Sequence, residues 1–254
     1  MPDQVAIAAS ILAADPTRLA EAVGQAEAAG ADAIHVDIMD GHYVHNLTFG
    51  IHLFPALRRC TRLPLAAHLE IEHPDHYVAD FVRAGATMLI VQEDACPNLA
   101  SIVARIVELG AQVGVAVNPN RPLDRVVPLM HTLDLVLCMS VPPGFGGQRF
   151  HAEVLPKVAQ ARRLARDLKR PPLVGMDGGL GPETVPAAVR AGANLLVVGT
   201  AIFHSGAVAE NMAGLRQAIA RANDADGNSS AAGEYPGSTG RCCENTGRHG
   251  RPAP

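Results

Sequence analysis

Four side chains stand out for the chemistry they could share. His35 and Asp37 lie two residues apart in the run Ile34-His35-Val36-Asp37-Ile38-Met39-Asp40-Gly41-His42. The apolar residues between and around them predict a strand, and residues i and i+2 of a strand face the same way. An imidazole and a carboxylate turned together into an apolar interior are costly unless they bind something. The pair suits Zn²⁺, Mn²⁺ or Fe²⁺; a hydrogen-bonded polar pair without a ligand is the alternative. His68 ends a second apolar run, and Asp177 ends another, followed directly by Gly178-Gly179. Together the four offer two imidazoles and two carboxylates, a donor set for one divalent cation that leaves room for substrate oxygens.

A second group of residues suits an anion. Val141-Pro142-Pro143-Gly144-Phe145-Gly146-Gly147-Gln148 has three glycines within four residues. Glycine lets a backbone approach an anion closely and lets a loop move as a lid. Gly178-Gly179 and Gly199-Thr200 add backbone donors after two later runs. A short helix expected over 201–204 would offer its N-terminus to a phosphate.

These residues fall at the ends of a repeating unit. Short apolar segments predict strands over 5–10, 33–37, 65–68, 88–92, 112–117, 135–140, 173–177 and 195–199. Helical periodicity predicts helices over 16–29, 74–84, 99–109, 152–168 and 182–191, and a last amphipathic one over 208–222. Ala-Gly-Ala recurs at Gly30, Gly85 and Gly192, with Leu-Gly-Ala at Gly110, each time just before a strand. A glycine closing a helical pattern is a stop signal, and Pro16 and Pro182 fit a first helical turn. Eight strand–helix units imply an α/β fold with a parallel sheet covered by helices. Eight is also the number that closes a (β/α)₈ TIM barrel of about 250 residues. An open doubly wound sheet is the alternative. The barrel is preferred because Ser10, Asp37, His68, Ser140, Asp177 and Gly199 all mark strand ends, where a barrel builds its site.

Composition agrees with one globular domain, expected over 1–222. Of 254 residues, 48% are hydrophobic and 18% charged, enough apolar material for a large core. A formal net charge of −4 supplies no basic field for nucleic acid or an anionic membrane. No apolar run reaches the roughly 18–20 residues of a membrane span. Met1-Pro2-Asp3-Gln4 begins no secretory signal, so a cytoplasmic location is expected. Cys60, Cys96, Cys138, Cys242 and Cys243 are odd in number and irregularly spaced, which argues for reduced thiols. The segment 223–254 has almost no large apolar residues and is expected to be a disordered tail.

From about Ile7 to His204 the chain resembles the ribulose-phosphate 3-epimerase family. The resemblance rests on Ala9-Ser10-Ile11-Leu12, His35 through His42, Asn46-Leu47-Thr48-Phe49-Gly50, Gly144 through Gln148, Asp177-Gly178-Gly179 and Gly199-Thr200-Ala201-Ile202-Phe203, in that order. It implies a TIM barrel holding one divalent metal ion (Zn, Fe, Mn or Co) on His35, Asp37, His68 and Asp177. It implies an isomerase of the pentose phosphate pathway and Calvin cycle that interconverts D-ribulose 5-phosphate and D-xylulose 5-phosphate. Asp37 and Asp177 would be the acid/base pair. Ser10 and His68 would contact the substrate, and Gly144, Phe145, Gly146, Gly147, Gly178, Gly179, Gly199 and Thr200 would enclose its phosphate end. A homo-oligomer, dimer or hexamer, is also implied.

The chain departs from the family pattern in places. Ala66-Ala67-His68-Leu69-Glu70 stands where the family usually has Asp-Val-His-Leu-Met, so Glu70 replaces a methionine that caps the metal beside the positions of Met39 and Met139. A carboxylate there would add charge near the intermediate, ligate the metal, or pair with a cation. Gln92 replaces a usual histidine, His45 a proline, and Pro142 an Asn or Asp. No ligand or proton-transfer residue is lost. Two other readings stay open: an epimerase for another ketose phosphate such as allulose 6-phosphate, and a catalytically weak phosphosugar-binding protein.

Overall fold

All eight apolar runs are strands in the computed structural model, which describes residues 5–225. They are β1 (Ala6–Ser10), β2 (Ala33–Met39), β3 (Leu65–Glu70), β4 (Met88–Gln92), β5 (Gln112–Val117), β6 (Leu135–Met139), β7 (Leu173–Asp177) and β8 (Leu195–Val198). Each pairs in parallel with the next, and β8 closes onto β1, with Ala6 to Ala9 in register with Leu195 to Val198. That last pairing excludes the open sheet.

Alternation along the strands divides the apolar residues into two cores. Ala8, Ala33, Ala66 and Ala116 point into the barrel with Met88, Ile90, Leu135, Leu137 and Leu195. Val36, Leu69, Val91, Val115, Val174 and Leu196 point outward under the helices. Small residues on one wall make room for large ones on another. Gly175 shows how closely this is matched: a Cβ there would stand 2.9 Å from Leu137 and 3.0 Å from Leu135.

The outer layer comprises α1 (Leu19–Ala28), α2 (Leu53–Cys60), α3 (Val78–Ala84), α4 (Leu99–Glu108), α5 (Leu155–Arg166), α6 (Val185–Arg190), the single turn α7 (Thr200–Phe203) and α8 (Val208–Ala225). The helix-closing glycines behave as expected: Gly30, Gly85, Gly110 and Gly192 have φ of 87°, 109°, 77° and 103°. The helices expected over 16–29, 74–84 and 152–168 each begin with a separate 3₁₀ turn, Pro16–Arg18, Pro74–His76 and Ala152–Val154. Helix α2 was not expected. Between β5 and β6 there is only a 3₁₀ turn, Val127–Leu129, so seven of the eight strands rather than all eight are followed by an α-helix. Helix α8 runs three residues past the expected domain end. The rest of the expected tail, with Cys242 and Cys243, lies outside the described residues. Cys60, Cys96 and Cys138 are free thiols, and no described helix is long and apolar enough to cross a membrane.

The end of the barrel away from the strand C-termini carries a fourfold device. The residue before each even-numbered strand is polar: Asp32, Thr87, Asp134 and Asn194. Each accepts, through its side chain, a backbone N–H from the first or second residue of the preceding odd strand: Ile7 at 2.7 Å, Leu65 at 2.9 Å, Val113 at 2.9 Å and Val174 at 2.7 Å. Each also donates its own N–H to the carbonyl of that residue. Four strand starts thereby find protein partners. Arg216 of α8 seals this end, bonding the Val5 and Gly30 carbonyls and pairing with Asp32 at 2.7 Å.

Candidate functional site

The other end of the barrel collects the expected ligands. Alternation on β2 turns His35, Asp37 and Met39 inward, and on β3 it turns Ala66, His68 and Glu70 inward. Register then sets Asp37 beside His68 and Met39 beside Glu70. Asp37 and His68 are therefore one inward layer below the strand tips rather than at them. Asp177 closes β7, and Ser10 closes β1. One potential ligand atom from each of His35, Asp37, His68 and Asp177 falls within 4.8 Å of every other. His35 Nε2 is 3.0 Å from Asp37 Oδ1, 3.2 Å from His68 Nδ1 and 3.8 Å from Asp177 Oδ2. His68 Nδ1 is 3.2 Å from Asp37 Oδ1 and 4.0 Å from Asp177 Oδ2. Donors about 2.0–2.2 Å from one cation lie at such mutual separations, so the group can hold a divalent metal ion. His35 and His68 are buried to 1% and 0% exposure, while the side chain of Asp177 keeps 18% and lines the cavity together with Asp37.

Electrostatics separates the two aspartates. Burial raises the pKa of both. At Asp37 the adjoining His35 and His68 outweigh burial and hold the carboxyl far below its ordinary value. At Asp177 burial and the nearby Asp37 charge win over His35, and the pKa is pushed up to about 7. Burial depresses His68, whereas Asp37 raises His35 in spite of burial. Glu70 is raised well above the carboxylate range by burial, then by Asp37 and Asp177.

A cavity of about 380 Å³ opens above this layer. Ser10, Gly144 to Gly147, Gly178, Gly179, Gly199 and Thr200 line it, together with Asp37, Asp177, Glu70, Met39 and Met139. His68, expected as a substrate contact, does not reach the wall and can act only from beneath. Gly178 and Gly179 have φ of 108° and 60°, and a side chain on Gly178 would run into Ser140 and Val141. In α7 the first helical bonds are donated by Ile202 and Phe203 to Gly199, so the N–H groups of Thr200 and Ala201 remain outside the helix's own bonding. The helix starts one residue earlier than expected. Phe145, 60% exposed, forms the tip of the β6 loop.

Beside Ser10, expected as a substrate contact, stand several supporting residues that were not singled out for a role from the sequence. Ser10 Oγ donates to Asp37 Oδ2 at 2.8 Å. Thr48 donates to the Asp37 carbonyl and accepts from the Met39 N–H at 3.0 Å, pinning the end of β2. Asn46 donates to the Gly144 carbonyl at 2.7 Å, and Gln148 donates to the Pro142 and Phe145 carbonyls, so the backbone of the glycine loop is held while the Phe145 side chain is left exposed. Ser140 Oγ donates to the Gly178 carbonyl. Asn46 and Thr48 belong to one short motif, Asn46 to Gly50, which was the available signal.

Comparison with known proteins agrees with this geometry. A profile described as the Ribulose-phosphate 3 epimerase family matches residues 6–203. A ribulose-phosphate 3-epimerase of Bacillus subtilis is 45% identical over 78% of this chain and 92% of its own length. One from Synechocystis is 42% identical over 85% and 95%. The chloroplastic ribulose-5-phosphate-3-epimerase of Arabidopsis thaliana is 40% identical over 84% and 76%. Among solved structures, an orotidine 5'-phosphate decarboxylase from Pyrococcus horikoshii superposes with a TM-score of 0.61 over 84% of this chain and 99% of its own, at 17% identity. A 3-hexulose-6-phosphate synthase superposes at 0.58 over 86% and 100%, at 20% identity. At those identities the likeness is one of fold alone. The profile, in contrast, spans the barrel from β1 to α7 and agrees with full-length relatives, so the chain belongs to the ribulose-phosphate 3-epimerase family.

Proposed function

We propose that the protein interconverts D-ribulose 5-phosphate and D-xylulose 5-phosphate. The observation that carries this is the pairing of Asp37 and Asp177 over one cavity. Epimerisation next to a carbonyl takes a proton from one face of a carbon and returns a proton to the other face, which calls for one base and one acid. Asp37 is held ionised and fits the base. Asp177, at the end of β7 on the same cavity, fits the acid. The roles exchange in the reverse direction. The names of the relatives support the same reaction.

The fit of the donor set supports one divalent cation, Zn, Fe, Mn or Co, on His35, Asp37, His68 and Asp177. When bound it supplies Lewis-acid stabilisation of the charge that develops on the sugar oxygens. Ser10 fixes the outer oxygen of Asp37, so the carboxylate keeps one orientation while its proton load changes. No lysine or arginine lines the cavity among the described residues, so phosphate capture falls to backbone N–H groups of Gly146, Gly147, Gly178, Gly179, Gly199 and Thr200. Gly144 and Phe145 would close over the sugar and keep water from the enediolate.

The test is a coupled assay of xylulose 5-phosphate formation by protein loaded in turn with each cation. Turnover is expected, and none above background with any of them would sink the proposal. Glu70 in the wall favours a second reading, an epimerase for a longer ketose phosphate such as allulose 6-phosphate, and faster turnover of six-carbon substrates would select it. Sugar-phosphate binding without solvent deuterium exchange at the reacting carbon would instead identify a phosphosugar-binding protein.

A further inference from the structure

Glu70 is a carboxyl group that the reaction above does not use. It is the last residue of β3, 2% exposed, and it lines the cavity. Its Oε2 has no hydrogen-bond partner among the described residues. Met39 is its register partner on β2 and Met139 stands on β6; the polar Gln92, which ends the adjacent β4, is turned to His68. It is outside the four-residue ligand group. A buried carboxyl oxygen left without a partner costs free energy, so a partner from the cavity is the missing piece.

Topology says which part of a substrate that partner is. Around eight strands, β3 lies four strands from β7 in either direction, so Glu70 faces Asp177 and Gly178-Gly179 across the mouth. The argument rests on the function proposed above, with phosphate on the loops after β6, β7 and β8. A ketose phosphate then runs from those loops over Asp37 and Asp177, and its unphosphorylated end, the C1 hydroxymethyl group, comes to β3. We infer that Glu70 is a specificity-determining residue that hydrogen-bonds the C1 hydroxyl of the ketose phosphate. A hydroxyl both donates and accepts, so the bond forms whichever protonation state the carboxyl holds. A site built to bond a hydroxyl rejects the analogue that lacks it, because its own polar group is then stranded.

The experiment compares binding of D-xylulose 5-phosphate with that of 1-deoxy-D-xylulose 5-phosphate by calorimetry. It uses metal-loaded wild type, Glu70→Met and Glu70→Gln, with metal content and turnover measured on the same samples. Wild type is expected to prefer the hydroxylated sugar by about 10- to 100-fold. Glu70→Met should bring the preference to within about threefold with metal content unchanged, and Glu70→Gln, which still donates and accepts, should keep most of it. An equal preference in wild type and Glu70→Met overturns the inference, as does loss of metal from Glu70→Met. Should that variant not fold, a wild-type preference near unity is by itself sufficient to overturn it. The two readings fail separately: a wild type that discriminates but does not turn over refutes the epimerase, and one that turns over but does not discriminate refutes the role of Glu70.

Discussion

Asp177 carries the most weight of any single residue in the proposed reaction, which makes it both a metal ligand and the acid, and its side chain is more exposed than those of His35, Asp37 and His68. Asp177→Asn keeps the shape and removes the proton. Turnover is expected to fall by about 10²- to 10⁴-fold, while circular dichroism stays unchanged; full activity in this variant would contradict the assigned role. Gln92 acts one step further out. Its amide lies 3.0 Å from His68 Nε2, and its Oε1 is unpartnered. With Nδ1 of His68 turned toward Asp37 as the ligand atom, Nε2 must hold the proton. A half-turn of the amide then lets Nε2–H donate to Oε1 and fixes that tautomer. Gln92→Leu is therefore expected to weaken metal affinity by about 10- to 100-fold, read by competition with a chelating dye. Unchanged affinity would mean that the tautomer is set elsewhere.

Elements explain why some of this could be read from the sequence and some could not. Strands were legible because each is a short apolar run ended by a glycine or a polar residue, and the period of two alone put His35 and Asp37 on one face. Helix α2 was not, since Leu53–Cys60 is short, contains Pro55 and carries two arginines in its last turn, and His52 makes no side-chain cap. The β5–β6 connection is interrupted by Pro119, Pro122 and Pro128, which keep it from forming more than a 3₁₀ turn. Asn46, Thr48 and Ser140 support the site through loops, whose partners have no periodicity to betray them. The polar residues ahead of the even strands did have a signal: Asp32, Thr87 and Asn194 each follow an Ala-Gly-Ala. Their value can be measured at Asn194, whose Oδ1 accepts the buried Val174 N–H. Asn194→Ala strands that donor and is expected to destabilise the fold by about 1–3 kcal/mol in urea unfolding. The site lies at the opposite end of β7, so activity per folded molecule should not change.

For the molecule as a whole, the ligand cluster is a source of instability that a cation relieves. In metal-free protein burial and the Asp37 charge push the Asp177 pKa up to about 7, from 3.8 for a free aspartate. Between those values the folded state binds more protons than the unfolded state, so stability falls as pH rises from about 4 to 7. The groups packed around it bear on the same window. Glu70 and His35 are raised and act in the same direction, whereas His68 is lowered and opposes them. Asp37 is lowered, so its contribution is already complete above about pH 4. A cation requires Asp177 ionised, so the stability it adds grows over that same window. At a hundredfold excess over Kd, mass action adds about 2.7 kcal/mol. In a domain of this size that raises Tm by roughly 5–10 °C. Thermal scans with and without chelator should show a gap that is small at pH 5 and wide at pH 8. Metal-free Asp177→Asn should be more stable than metal-free wild type at pH 8 and nearly equal to it at pH 4. A gap that stayed constant with pH would mean that no proton leaves Asp177 when the ion enters, and would separate metal binding from the acid/base pair.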